Sequence, residues 1–86
     1  MEITVEISYY PLMEHYQTPV DNFIHELAEN RNIKVESGIM SSLVTGLYEE
    51  VMSLLKQKLK PFMEKYPSVF TLKISNACKV CESQEQ

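Results

Sequence analysis

Glu2-Ile3-Thr4-Val5-Glu6-Ile7-Ser8-Tyr9-Tyr10-Pro11 alternates without a break. In an extended chain Ile3, Val5, Ile7 and Tyr9 share one side, and Glu2, Thr4, Glu6, Ser8 and Tyr10 share the other. Period-two alternation with β-branched residues predicts a strand covered on one face only. Pro11 has no N–H to give to a sheet ladder and is expected to end it.

Working outward, Thr18-Pro19-Val20-Asp21 reads as a helix start. Thr18 is the expected cap, Pro19 fits the first helical position, and Asp21 adds negative charge at the positive end of the helix dipole. Val20, Phe23, Ile24, Leu27 and Ala28 then form one apolar stripe, closed by Asn30-Arg31-Asn32. Ile33-Lys34-Val35-Glu36 alternates again and predicts a second strand. The turn after it falls either at Ser37-Gly38 or at Ser41-Ser42. Leu43-Val44-Thr45 predicts a third strand that Gly46 ends. From Leu47 to about Tyr66 the apolar residues recur at helical spacing, with a kink or end expected near Lys60 because Pro61 removes a backbone bond. Ser68 to Asn76 predicts the last strand, with Phe70, Leu72 and Ile74 inward.

The order β-α-β-β-α-β predicts an α+β, ferredoxin-like sandwich, with both helices on one face of a four-stranded antiparallel sheet. Right-handed crossovers place the first strand between the third and fourth. The domain is expected over residues 1–76, and residues 77–86 read as a polar, mobile tail.

At 86 residues the chain has room for one small domain. Such a domain buries only about 60% of the surface its unfolded chain exposes, which makes dimerisation a reasonable expectation. Eight basic residues against 12 acidic ones give a net charge of −4, and the lysines are dispersed. Nucleic-acid binding wants a basic stripe that displaces counterions, so nucleic acid is not an expected partner. No apolar run approaches the roughly 20 residues that span a bilayer, and no membrane role is expected. Met1-Glu2-Ile3-Thr4-Val5-Glu6 has neither the basic nor the apolar region of a signal peptide, so the expected setting is cytoplasmic.

The sheet face without helices is predicted to carry Glu2, Thr4, Glu6, Ser8, Tyr10, Lys34, Glu36, Thr71, Lys73 and Ser75. The plain reading is a solvated face. The sharper one is a surface for assembly or a ligand. Topology gathers Glu6, Ser8, Tyr10, Glu36, Ser41 and Ser42 into an acidic, hydroxyl-rich corner with one aromatic ring. Such a corner suits an amino-heteroaromatic cation: carboxylates accept its amine protons, hydroxyls bond ring nitrogens, and tyrosine offers a π face.

Ile7-Ser8-Tyr9-Tyr10-Pro11-Leu12, then Met40-Ser41-Ser42-Leu43-Val44-Thr45-Gly46 before Leu47-Tyr48-Glu49-Glu50-Val51-Met52, then Phe70-Thr71-Leu72-Lys73-Ile74-Ser75-Asn76, form a pattern over about residues 2–76. It resembles the YkoF-like thiamine-binding family of small ferredoxin-like domains, linked to thiamine or its hydroxymethylpyrimidine moiety. The resemblance implies paired units with sheets packed together, hence at least a homodimer here. It also implies binding rather than catalysis and no cofactor. Leu47 stands where the family is expected to favour an acidic residue; if that acid is a helix cap, leucine weakens the helix start.

Other residues carry less. Cys78-Lys79-Val80-Cys81 supplies two zinc ligands where four are needed, so a metal site requires two tails to meet. His15 and His25 have no ligand partner nearby in sequence and read as exposed titratable side chains. Neither Ser41 nor Ser42 sits in a nucleophile elbow. Met52, Met63 and Phe62 read as core. The expected function is a non-enzymatic binding protein for thiamine or its pyrimidine moiety. In that reading Glu6 and Glu36 face the ligand amine, Ser8, Ser41 and Ser42 orient it, and Tyr10 stacks on it. The alternative is a structural or regulatory module that self-associates through the open sheet face without ligand.

Overall fold

A computed structural model describes residues 1–77. The elements run β1 (Glu2–Pro11), α1 (Gln17–Ala28), β2 (Lys34–Ser37), β3 (Ser42–Leu47), α2 (Tyr48–Lys65) and β4 (Ser68–Ser75). The sheet order is β2-β3-β1-β4 with every neighbouring pair antiparallel, the ferredoxin-like arrangement expected from the pattern. The Cys78–Cys81 motif and the tail that follows it lie outside the described residues.

Alternation along β1 sorts its side chains as expected. Ile3, Val5, Ile7 and Tyr9 are all buried under the helices. β1 runs one residue further than expected: Pro11 pairs with Ser68 at the strand's end, where no donor is required of it. Cross-strand partners share a face, so Val44 and Val35 continue the core row of Val5. Phe23 and Leu27 come down from α1, and Val51, Leu54, Leu55 and Phe62 from α2. Four rings lock the deep end of this core. Tyr9 stacks on Phe70 at 4.3 Å, and Phe23 meets Tyr9, Phe62 and Phe70 at 5.2 Å each.

Several local expectations are corrected. Thr18 does not cap α1: the helix begins two residues earlier than expected, at Gln17, and its N-cap, Tyr16, makes no side-chain cap bond. Pro19 sits in the first turn, where its missing N–H has no intrahelical acceptor to lose. Of the two outcomes expected at Pro61, the helix end does not occur: α2 continues through it to Lys65. Both Pro61 and Gln57, the carbonyl owner one turn back, are exposed residues, so the proline falls on a solvent-facing side of the helix, where an unbonded carbonyl costs least. Met63 is exposed rather than core. β3 passes through Gly46 instead of stopping there. A Cβ on Gly46 would come within 3.2 Å of Val51 Cγ2 and 3.3 Å of the Asn32 carbonyl oxygen, so the bare glycine lets α2 and the α1–β2 connection close over the strand.

The start of α2 shows what Leu47 does. It is the N-cap residue, extended at φ −69° and ψ 143°, with no side-chain cap bond. The Tyr48 amide is satisfied by the Met1 carbonyl at 2.8 Å, which leaves the next amides for a capping side chain. Leu47→Ser is expected to stabilise the protein by about 1 kcal/mol, read as a higher urea midpoint at unchanged m-value. An unchanged or lower midpoint would show that the exposed leucine contributes as much as the missing cap.

Candidate functional site

β1 is longer than its partner on one side. The β1–β3 ladder stops at Ile7 and Ser42, so Ser8 to Pro11 pair with β4 but have no β3 neighbour. Over this bare edge the chain makes two approaches. The short Leu12–Tyr16 connection returns the first turns of α1 above the end of β1. From the other side comes the β2–β3 turn, where the Gly38 amide donates to the Ser41 carbonyl oxygen at 2.7 Å and leaves Ile39 and Met40 at the tip. The turn is thus the first of the two alternatives, beginning after Ser37. A Cβ on Gly38 would lie 2.8 Å from that same oxygen, which is why glycine starts the turn.

Between them lies a cleft of about 820 Å³. That volume is in the range of small-molecule sites. Ile7 to Pro11 form its floor, Tyr16, Gln17, Val20, Asp21, Phe23, Ile24, His25 and Ala28 its α1 wall, and Ser37 to Ser42 its opposite wall. The lining is mostly apolar with a few polar groups, as expected of a site that buries a ring and fixes its orientation.

The six residues singled out from the sequence divide. Ser8, Tyr10, Ser41 and Ser42 line the cleft. Glu6 and Glu36 lie in one row across the paired part of the sheet, both opposite Leu43 and therefore on the open face, outside the cleft lining. Glu6 nonetheless touches the site from behind: Ser41 Oγ donates to Glu6 Oε2 at 3.1 Å. Its other oxygen, Oε1, lies 3.8 Å from Lys73 Nζ. Glu36 is 3.4 Å from Lys34 Nζ. A second tether joins the turn to β1, from Ser8 Oγ to the Met40 carbonyl oxygen at 3.2 Å. Both serine hydroxyls donate in these bonds and keep acceptor capacity.

Asp21 carries the carboxylate of the lining. Gln17 Nε2 donates to its Oδ1 at 2.8 Å, which orients the group across one helical turn. In the sequence Asp21 reads only as helix charge. The available clue was the short β1–α1 connection, which forces the first turns of α1 over the end of β1. Tyr16, half exposed in the cleft lining, comes there through the same short connection. His25, read as an exposed side chain, is exposed, lines the rim and lies 3.8 Å from Glu29 Oε2. The open face also differs from expectation. Leu43 and Leu47 belong to it through their pairing with Glu6 and Glu2, as does Val69 through Tyr10, so it is less uniformly polar.

Among the described residues, no helix is long and apolar enough to cross a membrane. No known family's sequence model and no curated protein matches the chain. Solved structures do. Protein SP2199 from Streptococcus pneumoniae superposes with a TM-score of 0.83 at 18% identity, over 100% of both chains. A protein from Thermotoga maritima, TM0486, named provisionally for thiamine biosynthesis or salvage, gives 0.79 at 21% identity, again over 100% of both chains. A DUF77 domain of unknown function from Bacillus cereus gives 0.71 at 16% identity, over 92% of this chain and 79% of that one. At these identities the shared property is the fold, and at that level the likeness is consistent with the YkoF-like resemblance.

Proposed function

We propose that this protein binds, without chemically altering it, a small heteroaromatic ligand of the thiamine type, either thiamine or its hydroxymethylpyrimidine moiety. It does so in the cytoplasm, as a dimer or higher oligomer assembled through the open sheet face. The observation that carries the reading is the cleft at the bare end of β1, which Ser8, Tyr10, Ser41 and Ser42 line together with Asp21 and Tyr16. An aminopyrimidine has a flat apolar face, an exocyclic amine and ring nitrogens. Tyr10 and Tyr16 offer surfaces for stacking, Asp21 accepts from the amine, and the hydroxyls bond the ring nitrogens. Glu6 acts one step back, holding Ser41 in position. Glu36, on the open face, belongs to the assembly surface in this reading. The name of the Thermotoga maritima neighbour supports the ligand class, and the two share a fold.

Thermal unfolding with thiamine, hydroxymethylpyrimidine and thiamine phosphates tests the proposal. A ligand at about 100 times its dissociation constant adds about 2.7 kcal/mol. In a domain this small, that raises the midpoint by on the order of 10 °C. The expected result is a shift with a pyrimidine-bearing ligand and none with the thiazole moiety alone. No shift at millimolar concentrations of any of them would overturn the ligand and leave the self-associating module.

A further inference from the structure

The two edges of the sheet are unlike. β2 ends one side with four residues, Lys34–Ser37. β4 ends the other with eight, Ser68–Ser75, and no proline interrupts it. Among the described residues, no strand pairs its far side. Short strands and charges protect an edge, and a long edge with apolar residues invites a further strand. The helices add to the asymmetry: α1 packs on β1 and β2, and α2 on β1 and β3. Leu72 and Ile74 pair with Ile7 and Val5 and so lie on the core side of the sheet. Yet they are 37% and 52% exposed, while Ile7 and Val5 are 3% and 0% exposed. The core row simply runs out past the cover of the helices.

We infer that β4 pairs edge to edge with β4 of a second copy, antiparallel about a two-fold axis at Leu72, to make one continuous eight-stranded sheet. The occupant follows from the strand's own sequence. A two-fold antiparallel pair must match residues of like parity so that each face stays on its own side. With the axis at Lys73, two ammonium groups oppose each other and fewer residues overlap. With the axis at Thr71, Ile74 lies opposite Ser68. With the axis at Leu72, Leu72 meets its own copy, Phe70 meets Ile74, and Lys73 meets Thr71, so every apolar residue on the core side has an apolar partner. The arrangement also closes: both outer edges of the eight-stranded sheet are the short β2 strands. This contact is separate from packing of the open sheet faces and does not depend on any ligand.

Cross-linking reads the register directly. In a Cys78→Ser, Cys81→Ser background, Leu72→Cys places two thiols on the axis. Either kind of antiparallel pair holds the Cα atoms about 4.5–5.5 Å apart, within disulfide range. Oxidation is expected to yield a covalent dimer from Leu72→Cys and little from Lys73→Cys or Ile74→Cys. As a second measurement, Leu72→Lys sets like charges against each other and is expected to weaken self-association about 100-fold by light scattering. Circular dichroism should show an unchanged fold, since the leucine is already partly exposed. A monomeric wild-type protein, a cross-link preferred at position 73 or 74, or a Leu72→Lys variant of unchanged mass would overturn the inference.

Discussion

Phe23→Ala is expected to destabilise the protein by about 3–5 kcal/mol, the usual cost of truncating a buried aromatic ring. Phe23 is 1% exposed and touches three other rings, so few atoms can move in to fill the space it leaves. A domain of this size has a total stability of only about 4–13 kcal/mol. The variant should therefore show a urea midpoint far below that of the wild type, and at the lower end of that range it is partly or wholly unfolded at 37 °C. The loss reaches the cleft as well. Phe23 lies at the base of the cleft wall on α1, and its ring props that helix against Tyr9 on the floor. A midpoint within experimental error of the wild type would mean that the ring cluster does not organise this end of the core.

Asp21→Asn is expected to weaken the binding of a pyrimidine-bearing ligand about 10–100-fold while leaving stability almost unchanged. Asparagine keeps the shape and still accepts from Gln17, but it removes the charge that strengthens a hydrogen bond to the ligand amine. A hydrogen bond to a charged group contributes roughly 1.5–3 kcal/mol, which sets the size of the effect. Asp21 is exposed and outside the core, so the unliganded protein should unfold at the same temperature. Titration calorimetry of both proteins with hydroxymethylpyrimidine is the measurement. Equal affinities would remove Asp21 as the anchor and return attention to Glu6, the acid behind Ser41.

These two residues show how different parts of the molecule are encoded. Phe23 was legible as core because it falls on a helical stripe with Leu27, and such stripes reflect the geometry of a single element. Asp21 was visible only as a charge near a helix start. Its place in the cleft lining depends on what stands across the gap, the turn from Gly38 to Ser41, which no local pattern reveals. Pro61 is a similar case. Its effect on a backbone bond is local, but whether the helix survives depends on whether water reaches the Gln57 carbonyl.

By itself, the sequence determined the elements and their faces. Alternation in β1 and β4 and the helical stripes are periodicities of the backbone, and a βαββαβ order with right-handed crossovers admits one strand order. Tertiary structure alone decided register and coverage. The ladder between β1 and β3 stops at Ile7 and Ser42, residues far apart in the chain, and that stopping point opens the cleft and separates Ser8 and Tyr10 from Glu6 and Glu36. The helices cover β4 only at its start, where Phe70 meets Phe23, which leaves Leu72 and Ile74 on the core side but exposed. The physical reason is common to both. Periodicity follows from neighbouring dihedral angles, whereas where a ladder ends and how far a helix reaches follow from packing between segments brought together only in the folded chain.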